Sequence, residues 1–155
     1  IIVNDSIQYG WHKYYTYKGV LEAEEEYIWS NEGENLLNRV LRFDENGDTI
    51  QNRSNYFTIA LDKKVYQLGD TANVTLNLVY PLFKSDSAVI ILPTNTDSGQ
   101  VQKILVLSNG KRTFQYVVLS TDFCEIQGVL REYHIEENKV KQRDLNFNVL
   151  LNLTK

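Results

Sequence analysis

Leu145-Asn146-Phe147-Asn148-Val149-Leu150-Leu151-Asn152-Leu153 sets an apolar residue at every second position without a break. A period of two turns successive side chains to opposite sides. Leu145, Phe147, Val149, Leu151 and Leu153 therefore form the buried stripe of a β-strand. The same alternation runs through Val74, Leu76, Leu78 and Tyr80, with Asn73, Thr75, Asn77 and Val79 between them. It appears a third time in Phe114, Tyr116 and Val118, just after Ser108-Asn109-Gly110-Lys111. Asn-Gly suits a tight hairpin because both residues tolerate the positive φ that such a turn needs.

Residues 88–92, 102–107 and 127–135 are further predicted strands, divided by turn-rich residues at 94–99, 120–122 and 136–139. Strands at this spacing, with no convincing helix between them, predict an all-β protein. The expected fold is an antiparallel immunoglobulin/fibronectin-III-like sandwich of about seven strands.

The first third is less regular. Residues 14–21 are aromatic and strand-like, and residues 56–61 form a strand with Phe57, Ile59 and Leu61 on one face. Between them, Leu36, Leu37, Val40 and Leu41 fit a helical stripe, while Leu37, Leu41 and Phe43 fit a strand. The strand is favoured because Asp44-Glu45-Asn46-Gly47-Asp48 has the composition of a hairpin turn. Residues 1–58 are accordingly expected to be an N-terminal β extension or a partial second sandwich, and residues 59–155 the main sandwich.

Composition narrows the functional classes. A chain of 155 residues with 43% apolar and 23% charged residues can bury a core without disulfides or metal. Residues 1–56 carry ten acids against five bases, net −5, and residues 57–155 ten acids against eleven bases, net +1. Neither part is basic enough to mark a nucleic-acid surface. The acid run Glu22, Glu24, Glu25, Glu26 reads as a solvated edge. The longest apolar run, Ala88-Val89-Ile90-Ile91-Leu92, is strand-sized, so no membrane span is expected. The opening Ile1-Ile2-Val3 in a chain without methionine is what a processed or excised fragment would show. Cys124 is the single cysteine, which forbids an intramolecular disulfide. Asn4, Asn52, Asn73 and Asn152 each begin an Asn-x-Ser/Thr triplet, a number close to what an asparagine-rich chain produces without glycosylation.

The most informative motif lies in Ala60-Leu61-Asp62-Lys63-Lys64-Val65-Tyr66-Gln67-Leu68-Gly69-Asp70-Thr71-Ala72-Asn73-Val74-Thr75-Leu76. Physically it is a short strand, a turn and a long strand. Gly69 admits a backbone conformation closed to residues with a β-carbon. Asp70 can accept from neighbouring amides. Tyr66 is expected to lay its ring across the end of the core and keep its hydroxyl in water. The pattern Asp-Lys-Lys-x-Tyr-x-x-Gly-Asp-Thr-Ala resembles the opening of macroglobulin domains, the sandwich modules of alpha-2-macroglobulins and their bacterial relatives. Tyr80-Pro81-Leu82-Phe83, residues 88–92 and residues 145–153 continue the resemblance, and residues 42–48 look like the hairpin that precedes such a domain. The chain departs from the family in Leu68, where a proline is usual. It also lacks the reactive Cys-Gly-Glu-Gln thioester, since Cys124 is followed by Glu125-Ile126-Gln127. The resemblance implies a non-catalytic scaffold module of a larger extracellular, periplasmic or cell-surface protein. Its partners would be neighbouring domains of the same parent, with proteases or surface proteins as outside partners.

Sites with chemistry of their own are few. His12 and His134 are the only histidines, and Cys124 is ten residues from His134, with no local nucleophile signature around it. Cys124 reads as a small buried hydrophobe and His134 as structural or exposed. Asp44, Asn46 and Asp48 match the start of an EF-hand loop, but Thr49 replaces its turn glycine and Asn55 its bidentate glutamate. A plain turn is expected there, and neither a metal nor another cofactor. The alternative to a scaffold is a carbohydrate-binding or adhesion module, with Trp11, Tyr15 and Trp29 stacking on sugar rings among the aromatic residues that also include Tyr14 and Tyr17.

Overall fold

The computed structural model describes residues 10–29, 33–83, 87–96, 99–119 and 124–154. The triplet at Asn4, the start at Ile1-Ile2-Val3 and the predicted turn at 120–122 lie outside the described residues, as does the middle of the turn at 94–99. The chain divides into two compact units, Ile1–Tyr56 and Phe57–Lys155.

In the first unit three antiparallel strands follow one another: β1 (Gly10–Tyr15), β2 (Leu21–Trp29) and β3 (Asn35–Arg42). The stretch 14–21, expected as one strand, is the bend between β1 and β2. Gly19, at φ +79°, turns the chain, and its N–H donates to the Thr16 carbonyl at 2.9 Å. Residues 35–42 are a strand, and the following residues close a turn in which the Asp44 N–H donates to the Asp48 carbonyl at 2.9 Å. The acid run is not an edge. It lies on β2, the central strand, and its side chains meet cations from both neighbours. Ala23 is the buried apolar side chain among the described residues of this unit, whereas Glu25, Asn38, Ser54 and Asn55 are buried polar ones.

The second unit is an all-β sandwich of seven strands: β4 (Tyr56–Leu61, whose first residue belongs to the preceding unit), β5 (Thr71–Tyr80), β6 (Ala88–Thr96), β7 (Gly99–Val106), β8 (Lys111–Val117), β9 (Glu125–Glu136) and β10 (Lys139–Leu150). One sheet runs β4-β5-β8 and the other β10-β9-β6-β7. The alternating stripes meet between them. Val74, Leu76 and Leu78 from β5, Phe114 from β8 and Leu145, Phe147 and Val149 from β10 share one core with Ile90, Ile126 and Leu130. Phe57 and Phe147 pack edge to face with ring centroids 6.4 Å apart. Every residue of the unbroken run 88–92 is buried, and β6 is an inner strand with β9 and β7 on its two edges.

Ser108-Asn109-Gly110-Lys111 turns with φ of 50° at Asn109 and 71° at Gly110. Its ladder is the single Ser108↔Lys111 bridge, because the turn carries the chain from β7 in one sheet to β8 in the other. The Asn-Gly pair thus makes a corner between sheets.

Gly128 of β9 stands opposite Phe147 of β10. The Phe147 ring covers it so closely that a β-carbon there would lie 2.4 Å from Phe147 Cζ and 2.9 Å from Leu92 Cδ2. Gly128→Ala is expected to destabilise the fold by about 1–3 kcal/mol through overpacking. The cost should shrink in a Phe147→Leu background, where the ring atoms in the way are gone. Urea unfolding of the four proteins checks this, and equal costs in both backgrounds would mean that Phe147 is not the obstacle.

Candidate functional site

Two groups of residues were singled out by sequence, one in each unit. In the second unit, Tyr66 is the largest fully buried side chain, at 0% exposure. Its hydroxyl does not reach water as expected. It donates to Asp62 Oδ1 at 2.8 Å and accepts from the Lys63 N–H at 3.1 Å. A phenol buried this deeply needs such partners, because an unsatisfied hydroxyl in the core would cost more than the bond returns.

Asp62 is the hub of the motif. Its carboxylate also accepts from the Asn73 N–H at 2.9 Å and from Asn73 Nδ2 at 2.7 Å. These hydrogen bonds, the Asn73 side chain's foremost, hold its pKa down at about 2. Asp70 accepts from the Gln67 N–H at 3.1 Å and from Lys63 Nζ at 3.2 Å, and its pKa is lowered by the backbone amide first and the ammonium second. Gly69 adopts φ +84°, and its N–H donates to the Val118 carbonyl at 2.9 Å. The Tyr66 backbone then joins the chain's last strand segment. Its N–H donates to the Asn152 carbonyl at 2.9 Å and its carbonyl accepts from the Thr154 N–H at 3.0 Å. Tyr66, Gly69 and Asp70 are therefore brought together as one knot that ties residues 62–73 to residues 118 and 152–154.

The aromatic residues of the first unit are not brought together in this way. Trp11 and Tyr15 occupy alternate positions on one face of β1, four residues or roughly 13 Å apart. Trp29 lies three positions beyond Glu26 on β2, and the strand's alternation turns it to the opposite face from Trp11, which is paired with Glu26. One face of the Trp11 ring is taken by Arg39, whose guanidinium carbon lies 5.0 Å from the ring centroid and 5.7 Å from that of Tyr56. Arg39 in turn grips Glu26 with Nε and Nη2, both at 2.5 Å, and Asn38 Nδ2 adds a bond at 2.7 Å. This Trp11-Arg39-Tyr56 stack with its Glu26 clamp was hidden in the sequence. Its members are contributed by β1, β2, β3 and the residue that opens β4. On the other face Arg42 pairs with Glu25, which also accepts from the Tyr27 hydroxyl at 2.5 Å. Burial, reinforced by Glu25, raises the Tyr27 pKa well above the usual phenol range.

Cys124 is buried, and His134 stacks on Phe83 with centroids 5.5 Å apart. Cys124 immediately precedes β9 and His134 lies near the end of that strand, ten positions or about 33 Å on, too far to act as a nucleophile and base. Asp44 Oδ1 accepts from the Asn46 and Asp48 N–H groups, each at 2.9 Å, so the EF-hand-like stretch closes on its own backbone. Among the described residues no group of three or more His, Cys, Asp or Glu is placed to hold a metal, and no helix is long and apolar enough to cross a membrane. The triplet asparagines differ in freedom. Asn73 Nδ2 is engaged by Asp62 and Asn152 Nδ2 donates to the Lys64 carbonyl at 3.3 Å, while Asn52 is exposed on a 3-10 turn. No protein-family model matches the chain, and no curated protein is significantly similar to it in sequence.

Two outcomes test the knot. Tyr66→Phe removes the hydroxyl, takes one of three donors from Asp62 and leaves the Lys63 N–H without its side-chain acceptor, at an expected cost of about 1–2 kcal/mol in chemical unfolding. A neutral Tyr66→Phe would mean the ring alone matters. Because the pKa of Asp62 is depressed in the folded state, its contribution is complete above its ordinary value of 3.8 and is lost as pH falls through about 2. Melting temperature should therefore drop between about pH 4 and pH 2, and less steeply in Asp62→Asn. Parallel acid profiles for the two proteins would remove Asp62 from the acid response.

Proposed function

We propose that this chain is a non-catalytic structural and interaction module, a macroglobulin-like sandwich within a larger exported protein. It packs against neighbouring modules of its parent and so positions a capturing surface that lies elsewhere. The observation that carries the proposal is the knot around Asp62. In the stretch that resembles a macroglobulin domain, Tyr66 and Asp62 hold each other, and Asp62, Gly69 and Asp70 each bind adjoining backbone. The Tyr66 hydroxyl is turned into the fold and satisfied there, while Asp62 and Asp70 hold the turn from the surface, an arrangement that suits a motif used for scaffolding. The alternative, a glycan-stacking surface at Trp11, Tyr15 and Trp29, has weaker support, because Arg39 covers a face of Trp11 and Trp29 stands on the other side of the sheet.

The experiment is to follow the native parent polypeptide by antibody blot in fractions of the source cells. The expected result is a protein many times larger than 18.0 kDa, found in an exported or surface fraction. A parent of about this chain's own mass, retained in the cytoplasm, would overturn the proposal.

A further inference from the structure

The larger sheet of the sandwich is forked. β6 and β9 pair from Ala88↔Glu132 to Ile91↔Val129 and then separate. β6 continues to Thr96 bonded to β7, and the start of β9 at Glu125 is bonded to β10. Among the described residues no strand lies between them beyond that point. A cleft of about 530 Å³ opens in the fork, with Leu92, Pro93 and Ile126 on one side and Gln115, Tyr116 and Val117 of β8 on the other. β8 is the outermost strand of its own sheet, so it too turns an unpaired edge outward.

Strand edges carry backbone N–H and C=O groups at a repeat of roughly 3.3 Å, and the partner that satisfies them is another extended chain. The cleft's charges fit the same occupant. Lys103 lines it, is exposed, and makes no ion pair among the described residues. Glu125 lines it too, and it accepts from the neutral amides of Gln127, at 2.7 Å, and Asn148. One cation and one carboxylate thus border the slot, neither of them in an ion pair among the described residues.

We infer that this fork is a docking site for a short extended segment of another polypeptide. The segment adds as a β-strand, buries alternate apolar side chains against the exposed Pro93, Val117 and Leu119 at the mouth of the cleft, and sets an acidic residue against Lys103 and a basic one against Glu125. The inference is independent of the scaffold proposal, since it needs only the sandwich itself.

The whole chain, immobilised, is panned against a displayed library of random nonapeptides. The enriched sequences are then synthesised and titrated into isotope-labelled protein. Expected are peptides with alternating apolar residues and an acid, amide shifts concentrated at residues 92–93, 115–117 and 125–127, and affinity about tenfold weaker for Lys103→Glu. A peptide with that acid changed to lysine should recover affinity for Lys103→Glu. Lys103 is exposed, so this variant keeps the fold, which its melting temperature confirms. Failure to enrich any peptide, shifts centred elsewhere, indifference to Lys103→Glu, or sedimentation as a dimer that occupies the cleft would each overturn the inference.

Discussion

A single hydrogen bond, from the Tyr66 hydroxyl to Asp62, is the constraint on which the sandwich turns. A phenol can close the end of an apolar core only if its oxygen is provided for. Asp62 provides for it, and the same carboxylate aligns Asn73 at the start of β5. β5 supplies the alternating stripe of one sheet, and the Tyr66 backbone fixes the segment after β10, which supplies the stripe of the other. The knot therefore sits where both apolar faces begin. The positive-φ glycine beside it, the turn through Asp70 and the bonds to residues 118 and 152–154 all serve to keep that ring in place.

The two units are stabilised by different physics. In the sandwich a shared apolar core fills the space between sheets, and polar groups appear at its margins, as with Glu132, which accepts from the Leu82 N–H at 2.8 Å. In the first unit the described residues bury little apolar surface, and the backbone ladders are reinforced by cross-strand pairs: Lys13 with Glu24, Arg42 with Glu25 and Arg39 with Glu26. Isolated surface pairs contribute little, but Arg39 is bidentate, packed on two rings and largely shielded, which is the arrangement that raises such a pair above the ordinary.

What could be read from the sequence was whatever a local period encodes. The strands through residues 73–80, 114–118 and 145–153 were legible because one face of each is buried and the other is not. The fold class followed from them. Partners far apart in the chain were not legible. Four acids in five positions look like solvent-facing charge, and only the register with β1 and β3 reveals that β2 is the central strand. The bend at 16–20 was missed because its aromatic neighbours have strong strand character. The Asn109-Gly110 turn was found, but sequence could not say that it joins two sheets. In the motif, Gly69 and Asp70 were recognised by residue type. The wet hydroxyl expected of Tyr66 was wrong because Asp62 stands one short turn upstream. The fork between β6 and β9 leaves no mark in composition at all, since it is defined by where a ladder stops.

The charge pairing of the first unit makes ionic strength a selective agent. Mobile ions at physiological concentration screen charges over about 8 Å, and at molar salt over about 3 Å. The exposed Lys13–Glu24 pair across β1 and β2 weakens accordingly and the shielded Arg39–Glu26 pair much less, whereas the apolar core of the sandwich is unaffected or strengthened by salts that are excluded from protein surfaces. The same solution can thus loosen one part of this chain while tightening the other. The medium in which the protein works sets the balance between a firm sandwich and a more yielding N-terminal sheet.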